Sequence, residues 1–209
     1  MLANIGKQLG LPTRSLAGWL VSKFLCVGNR MLEENAVRLS GIQPRDTVLE
    51  VGHGPGLGLQ AAASLLTDPS GSLIGVDYSE YMHQMASELL KDHLASGKVT
   101  LHLCDVAAMP LADCTVDKLF HCNCYYFWPD LRKGTAELHR VMKPGGLMVT
   151  TLRLHSVSAL ASRGIMMGTN WCPEAYMEAL KESGFVDIRM EDVKHSENTF
   201  QAIYATCQK

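Results

Sequence analysis

Four glycines at alternate positions, Gly52, Gly54, Gly56 and Gly58, follow an apolar run that carries one embedded acid, Glu50, in the stretch VLEVGHGPGLGLQ at 48–60. Glycine lets the main chain turn sharply and lets a ligand approach where a Cβ would intrude, so the stretch reads as a backbone cradle. A dinucleotide is one candidate occupant. However, G-x-G-x-x-G/A read from Gly52 puts Leu57 in its last slot, and the run Gly56-x-Gly58-x-x-Ala61 that does fit begins four residues too late. Charge decides further: a carboxylate at Glu50 repels a pyrophosphate and favours a ligand with a positive group. His53, inside the loop, can touch whatever the cradle holds or act as a general base. A structural or solvated histidine is the plain alternative.

A second concentration of chemistry lies at HCNCYYFWPD, 121–130. Asn123 is followed by Tyr125, Tyr126, Phe127 and Trp128, side chains suited to an apolar or flat substrate. Phe127 and Trp128 read equally well as anchors for the next helix. Arg153 and His155 can face an acceptor, and Trp171 closes the poorly patterned segment 153–172. His102, Cys104, His121, Cys122 and Cys124 raise the question of zinc. Cys122 and Cys124 on one strand point to one face, with no partner pair at metal spacing, so the expectation is buried thiols and no metal.

These residues need elements to hold them. TVLEV (47–51), SLIGV (72–76), VTLHL (99–103), VDKLFHC (116–122), LMVTTL (147–152), FVDIRME (185–191) and FQAIYAT (200–206) read as strands. Helical patterns separate the first five: LGLQAAASLL after the glycines, SEYMHQMASELLKDHLA (79–95) with Ser79 as N-cap, and PDLRKGTAELHRVM (129–142) opening on proline. PEAYMEALKES (173–183) runs from Pro173 to a stop at Gly184. Alternation of this kind predicts an α/β fold: a doubly wound, Rossmann-like sheet of seven strands. The last two strands are joined by DVKHSENT alone, too short for a helical crossover, so they should be antiparallel. Ligands of such sheets bind at the carboxyl edge, where the glycine loop, the 121–130 stretch and the 153–172 segment all emerge.

The 209 residues suit one domain with a small appendage. Apolar residues make up 47 % and the formal charge is −2, which supports a sizeable core and argues against a general nucleic-acid binder. Seven cysteines, an odd number, with no secretory leader before them, point to free thiols in a reducing compartment. No apolar run approaches the ~20 residues of a membrane span. From Met1 to Leu32 there are basic residues (Lys7, Arg14, Lys23, Arg30) and no acids, with Trp19, Leu20, Phe24 and Val27 at roughly helical spacing. That segment is a packed helix, a membrane-surface helix or a mitochondrial transit peptide.

VLEVGHGPGLG resembles the first motif of class I S-adenosylmethionine-dependent methyltransferases, E/D-x-G-x-G-x-G. IGVDYSEYM, LHLCDVAAMPL, DKLFHCNCYYFWPD and ELHRVMKPGGLMV are similar to the family's later motifs, in order. The wording is nearest the ubiquinone/menaquinone-biosynthesis type, over residues 40 to 209. The resemblance implies S-adenosylmethionine as cofactor and S-adenosylhomocysteine as product. It assigns Glu50, Gly52, His53, Gly54 and Gly56 to the cradle and Asp77 to the ribose hydroxyls. Tyr78 and Met82 would flank the adenine, with Asp105 and the Val106 amide at its edge and Asn123 near the methionine part. Turn, cap and core roles are the bland alternatives for Asp77, Asp105 and Met82 taken singly. Asn123, Tyr126 and His53 are the candidate catalytic residues, and Tyr125, Tyr126, Trp128, Arg153, His155 and Trp171 the candidate substrate contacts. Asn123 and Tyr126 also echo the N/D-P-P-Y motif of amino-group methyltransferases, with Cys124 and Tyr125 in place of its prolines. The resulting expectation is an enzyme moving a methyl group directly to a small, apolar or aromatic molecule, without metal or nucleic acid. An amino-group or protein methyltransferase and a catalytically silent partner subunit are the alternatives. Residues 1–40 would form a helical lid, placing Trp19, Phe24 or Met31 near the cofactor, and 41–209 the catalytic domain. The expected compartment is the cytoplasm, or the mitochondrion if the basic N-terminus is a targeting peptide.

Overall fold

The computed structural model describes residues 9–165 and 170–209, apart from the side chains of Ala17 and of residues 21–27. Lys7 and the side chains of Lys23, Phe24 and Val27, which belong to the basic and amphipathic pattern above, therefore lie outside the described residues.

Seven strands form one sheet: β1 (Thr47–Val51), β2 (Ser72–Asp77), β3 (Val99–Leu103), β4 (Val116–Cys122), β5 (Met142–Leu152), β6 (Phe185–His195) and β7 (Asn198–Cys207). Their order is β3-β2-β1-β4-β5-β7-β6. The first five run parallel, and β7 is antiparallel to both β5 and β6. Parallel strands covered on both faces must be apolar throughout. β1 obeys: Val48, Leu49 and Val51 are at most 1 % exposed, and Glu50 is buried among them at 1 %. The chain reverses direction across the sheet between β1 and β4, and this switch point opens the crevice at their carboxyl ends.

The helices are α1 (Leu16–Leu39), α2 (Leu57–Ala63), α3 (Glu80–Leu89), α4 (Lys91–Ala95), α5 (Leu131–Val141), α6 (Leu154–Ser162) and α7 (Pro173–Glu182). Ser15 caps α1, its hydroxyl accepting from the Gly18 amide at 3.0 Å. The second half of α1 is a structural layer. Leu32 packs with Cys122, Val149 and Phe200, while Ala36 and Val37 join Val48, Leu59 and Phe120 in a second cluster on the same face. The opposite face is filled by Leu49, Leu119, Tyr125, Leu138, Tyr176 and Leu180.

Several local outcomes differ from the periodicity reading. The helix read over 129–142 does not open on Pro129: Asp130 is its N-cap, accepting from the Lys133 amide, it runs Leu131–Val141, and Met142 already begins β5, five residues ahead of the strand read from Leu147. The helix expected over 79–95 is two, because Leu90, fully buried among Leu59 and Phe120, takes φ −105° and ψ 15° between α3 and α4. The patternless 153–172 segment contains α6; only Val157 of that helix is fully buried, so it carries no apolar period to detect. The final strands are longer than their apolar cores, pairing down to His195 with Asn198 and leaving Ser196 (φ +54°) and Glu197 as the turn. The expected antiparallel pairing is present.

Candidate functional site

A cavity of about 550 Å³ opens at the carboxyl ends of β1, β2 and β4. Its floor is the glycine loop. Gly52 (φ +66°) and Gly54 (φ +52°) both line it in left-handed backbone that favours glycine. A Cβ on Gly52 would stand 2.9 Å from the Cys124 Cβ, whereas one on Gly54 would meet no protein atom within 4 Å. The first glycine thus lets the β4 loop come close, and the second keeps a bare patch of main chain facing the cavity. Gly56 (φ +93°) is packed instead against Ala86 of α3.

Asp77, at the end of β2, is fixed by two main-chain donors: the Gly54 amide to one carboxylate oxygen at 2.9 Å and the Ser79 amide to the other at 2.8 Å. Each oxygen keeps a second lone pair, and the residue lines the cavity beside Tyr78 and Met82. Asp105 caps the short turn Val106–Ala108 by accepting from the Ala107 amide at 2.9 Å, and Asp105, Val106 and Cys104 form the wall beyond β3.

The 121–130 stretch divides sharply. Asn123 (φ +49°) donates from Nδ2 to Asn29 Oδ1 of α1 at 2.9 Å, leaving its own Oδ1 buried without a partner. Tyr126, Phe127 and Trp128 line the cavity, facing Val157 and Leu160 of α6 and Arg153. Tyr125 turns the other way. It is fully buried, stacked on Tyr176 at 4.2 Å between ring centroids, and donates to the Trp171 carbonyl. Behind the loop His121 lies 2.7 Å from both the Tyr176 hydroxyl and Thr150 Oγ1, with Cys124 Sγ 3.4 Å away.

Burial keeps this wall protonated. The thiols of Cys122 and Cys124 are pushed well up by burial, with Glu33 next for Cys122 and Asp77 next for Cys124. Cys104 rises to about 11, from burial and then Asp105. The Tyr126 hydroxyl is raised for the same first reason, so it is a hydrogen-bond donor and no phenolate base. Protonated thiols are also poor nucleophiles. The wall would leave an alkylating ligand intact.

Among the sequence candidates, Gly52, Gly54, Asp77, Tyr78, Met82, Asp105, Val106, Asn123, Tyr126, Trp128 and Arg153 share the cavity. Tyr125 and Trp171 do not line it and form the hydrogen bond behind it, and His155 is exposed on α6, away from it. His53 is fully buried behind the loop with Nδ1 2.7 Å from the Gly54 carbonyl; Nδ1 therefore carries the ring proton, and Nε2 has no partner. Burial lowers its pKa, which makes it a weak base turned from the cavity. Glu50 lies beneath α2, where Gly58 leaves room for its carboxyl. Among the described residues no three His, Cys, Asp or Glu side chains gather as metal ligands.

The cavity also takes residues not singled out from the sequence: Leu9 to Pro12, then Gly28, Asn29 and Glu33 of α1. Asn29 and Glu33 sit four apart on one helical face, a signal hidden by the surrounding polar residues. Trp19 is 48 % exposed, and neither it nor Met31 lines the cavity. The strap before α1 is tied down where Ser79 Oγ donates to the Pro12 carbonyl at 2.6 Å, and Gly10 admits the Phe127 ring. The same hydroxyl accepts from the Met82 amide to cap α3. Ser79→Ala is accordingly expected to cost about 1 kcal/mol in urea unfolding, the usual loss for an N-cap; an unchanged midpoint would show that neither bond contributes.

Residues 48–146 match the family model of a methyltransferase domain. An uncharacterized methyltransferase of Bacillus subtilis, YdaC, is 28 % identical over 181 residues, 86 % of this chain and 92 % of that protein. The ubiquinone/menaquinone biosynthesis C-methyltransferase UbiE of a Geobacter species is 30 % identical over 132 residues, covering 62 % of this chain but 55 % of its own length. A crystal structure of a SAM-dependent methyltransferase from Aquifex aeolicus superposes with a TM-score of 0.67 over 89 % of this chain and 96 % of its own, at 22 % identity, a likeness of fold.

Proposed function

We propose, given that the chain is a class I S-adenosylmethionine-dependent methyltransferase, that it moves the methyl group directly to a small apolar or aromatic acceptor. The observation that carries this reading is one cavity lined both by bare main chain and carboxylates and by Tyr126, Phe127, Trp128, Val157 and Leu160, which we read as its cofactor end and its acceptor end. The residues fit the cofactor. Gly54 offers open backbone, Asp77 has lone pairs placed for two vicinal hydroxyls, and Asp105 with the Val106 amide offers an acceptor and a donor to a purine edge. When bound, the cofactor supplies a methyl group already activated on a sulfonium, so the protein's part is positioning and exclusion of water.

At the acceptor end Tyr126 donates a hydrogen bond, Trp128 and Phe127 bound a flat ligand, and Arg153 supplies positive charge at the rim. Among the described residues that end has no histidine in its walls, and its thiols and phenol stay protonated. It therefore offers no strong base, which suits attack by an electron-rich ring carbon or by an oxygen that is already ionised. The Geobacter relative is by name a C-methyltransferase of quinone biosynthesis, which agrees with this class.

Methyl-labelled cofactor offered with separate pools of phenols and quinols, of amines and of protein tests the reading. The expected label is in the first pool, and Tyr126→Phe is expected to lower kcat/KM there by about tenfold, the value of one hydrogen bond made to the reacting molecule. Label recovered in the amine or protein pool alone would replace this acceptor class. Cofactor binding with no transfer to any pool would favour a silent partner subunit.

A further inference from the structure

Five buried side-chain polar atoms among the described residues have no hydrogen-bond partner, and three of them are oxygens: Glu33 Oε2, Glu50 Oε2 and Asn123 Oδ1. Native proteins rarely leave such atoms unpaired, so each calls for a partner, a water or a ligand. Glu33 is 6 % exposed and lines the cavity from α1; Glu50 is 1 % exposed beneath it, on β1. The two carboxyls converge on the start of α2. The Gly58 amide lies near Glu33 and the Leu59 amide near Glu50, each favouring the charged carboxylate, and Gly58 is small enough to clear the Glu50 carboxyl. One oxygen of each carboxyl, Oε2, has no partner. Nearby charge is unbalanced: Glu34 and Asp77 add negative charge to the pair, and the cation facing Glu33 is Arg30, which is exposed. Among the described residues no buried cation answers these two buried acids beside the cavity, which leaves the site one positive charge short.

We propose that Glu33, contributed by the N-terminal helix and backed by Glu50, seats an ammonium group at the glycine-loop end of the cavity, and that this ammonium is the α-amino group of the cofactor. The assignment rests on the cofactor placement proposed above. An α-ammonium offers three N–H donors, and Glu33 and Asn123, two residues of the cavity lining, each hold one buried, unpartnered oxygen, Oε2 and Oδ1, which a small side-chain rotation would turn to such a donor. Burial raises the Glu33 carboxyl to about 7, so it is half protonated at neutral pH until a cation restores its charge. The helix that closes the cavity is thereby also the one that reads the amino-acid half of the ligand.

The test compares two probes, S-adenosylhomocysteine, which carries the ammonium, and 5′-methylthioadenosine, which keeps the nucleoside and lacks it. In Glu33→Gln, titration calorimetry is expected to show affinity for S-adenosylhomocysteine lowered about tenfold or more and affinity for methylthioadenosine unchanged; the second value also verifies that the variant is folded. Equal loss for both probes would make Glu33 a support of the cavity as a whole and overturn the seat. Unchanged binding of both would overturn it too, and if turnover fell nonetheless, Glu33 would belong to the acceptor. A wild-type protein that bound neither probe would sink the cofactor placement and the seat with it.

Discussion

Asp77→Ala is expected to weaken binding of S-adenosylhomocysteine by about 1–3 kcal/mol, roughly ten- to hundredfold, the cost of removing a charged acceptor of two hydrogen bonds. The carboxylate is preorganised, since the Gly54 and Ser79 amides hold its two oxygens at 2.9 and 2.8 Å before any ligand arrives. A ribose with two neighbouring hydroxyls would find both acceptors at fixed spacing and would not have to order them. The same two bonds complicate the variant, because Ala leaves two loop amides without partners. Thermal unfolding should therefore be recorded beside the titration, with Gly54→Val as a companion: that branched side chain enters the cavity floor and demands φ +52° of a residue ill suited to it, while leaving the Asp77 carboxylate itself in place. Both variants are expected to lose affinity. Wild-type affinity in both would remove the nucleoside from this end of the cavity.

The elements were readable where burial is dictated locally. VTLHL, TVLEV and VDKLFHC are strands with the bounds their apolar runs set, and the helix starting at Pro173 follows its end signals. The mixed sheet followed from counting residues between strands. What the sequence hides is the direction in which a short loop aims neighbouring side chains. Tyr125 and Tyr126 are adjacent and chemically alike, yet the turn Tyr125–Phe127 sends one under the sheet edge onto Tyr176 and the other into the cavity. Glu33 is hidden for a related reason: in RMLEENAVRL it looks like one of several solvated charges, and only the packing of Leu32 and Ala36 against the sheet turns its face inward. Aromatic and acidic residues on opposite sides of one turn or one helix are separated by tertiary contact, and no window of sequence holds that information.

Acidification separates another buried group from its surroundings. His121 is fully buried, touches two hydroxyls and a thiol, and is held at about 3 by burial against an ordinary 6.5. Its folded pKa is depressed, so between those values the unfolded chain takes a proton that the folded chain refuses. The stability it contributes is whole above pH 6.5 and is lost as pH falls toward 3, at about 1.4 kcal/mol per pH unit. His53, also lowered by burial, acts in the same direction. Glu33 acts in the opposite one: raised by burial from 4.5 to about 7, it contributes fully below 4.5 and loses that contribution as pH rises through 7. Burial raises Glu50 as well, giving it the same sign. In wild type the two trends offset each other between pH 4.5 and 6.5, so the histidine is visible only by difference. His121→Gln is expected to be less stable than wild type at pH 7.5, where it disturbs the contacts with Tyr176 and Thr150. The gap should then narrow by about 3 kcal/mol between pH 7 and pH 4, read from urea midpoints at each pH. A gap that stays constant across that range would mean that His121 takes up its proton in the folded state, and that the ring and its partners open to water far more readily than their packing implies.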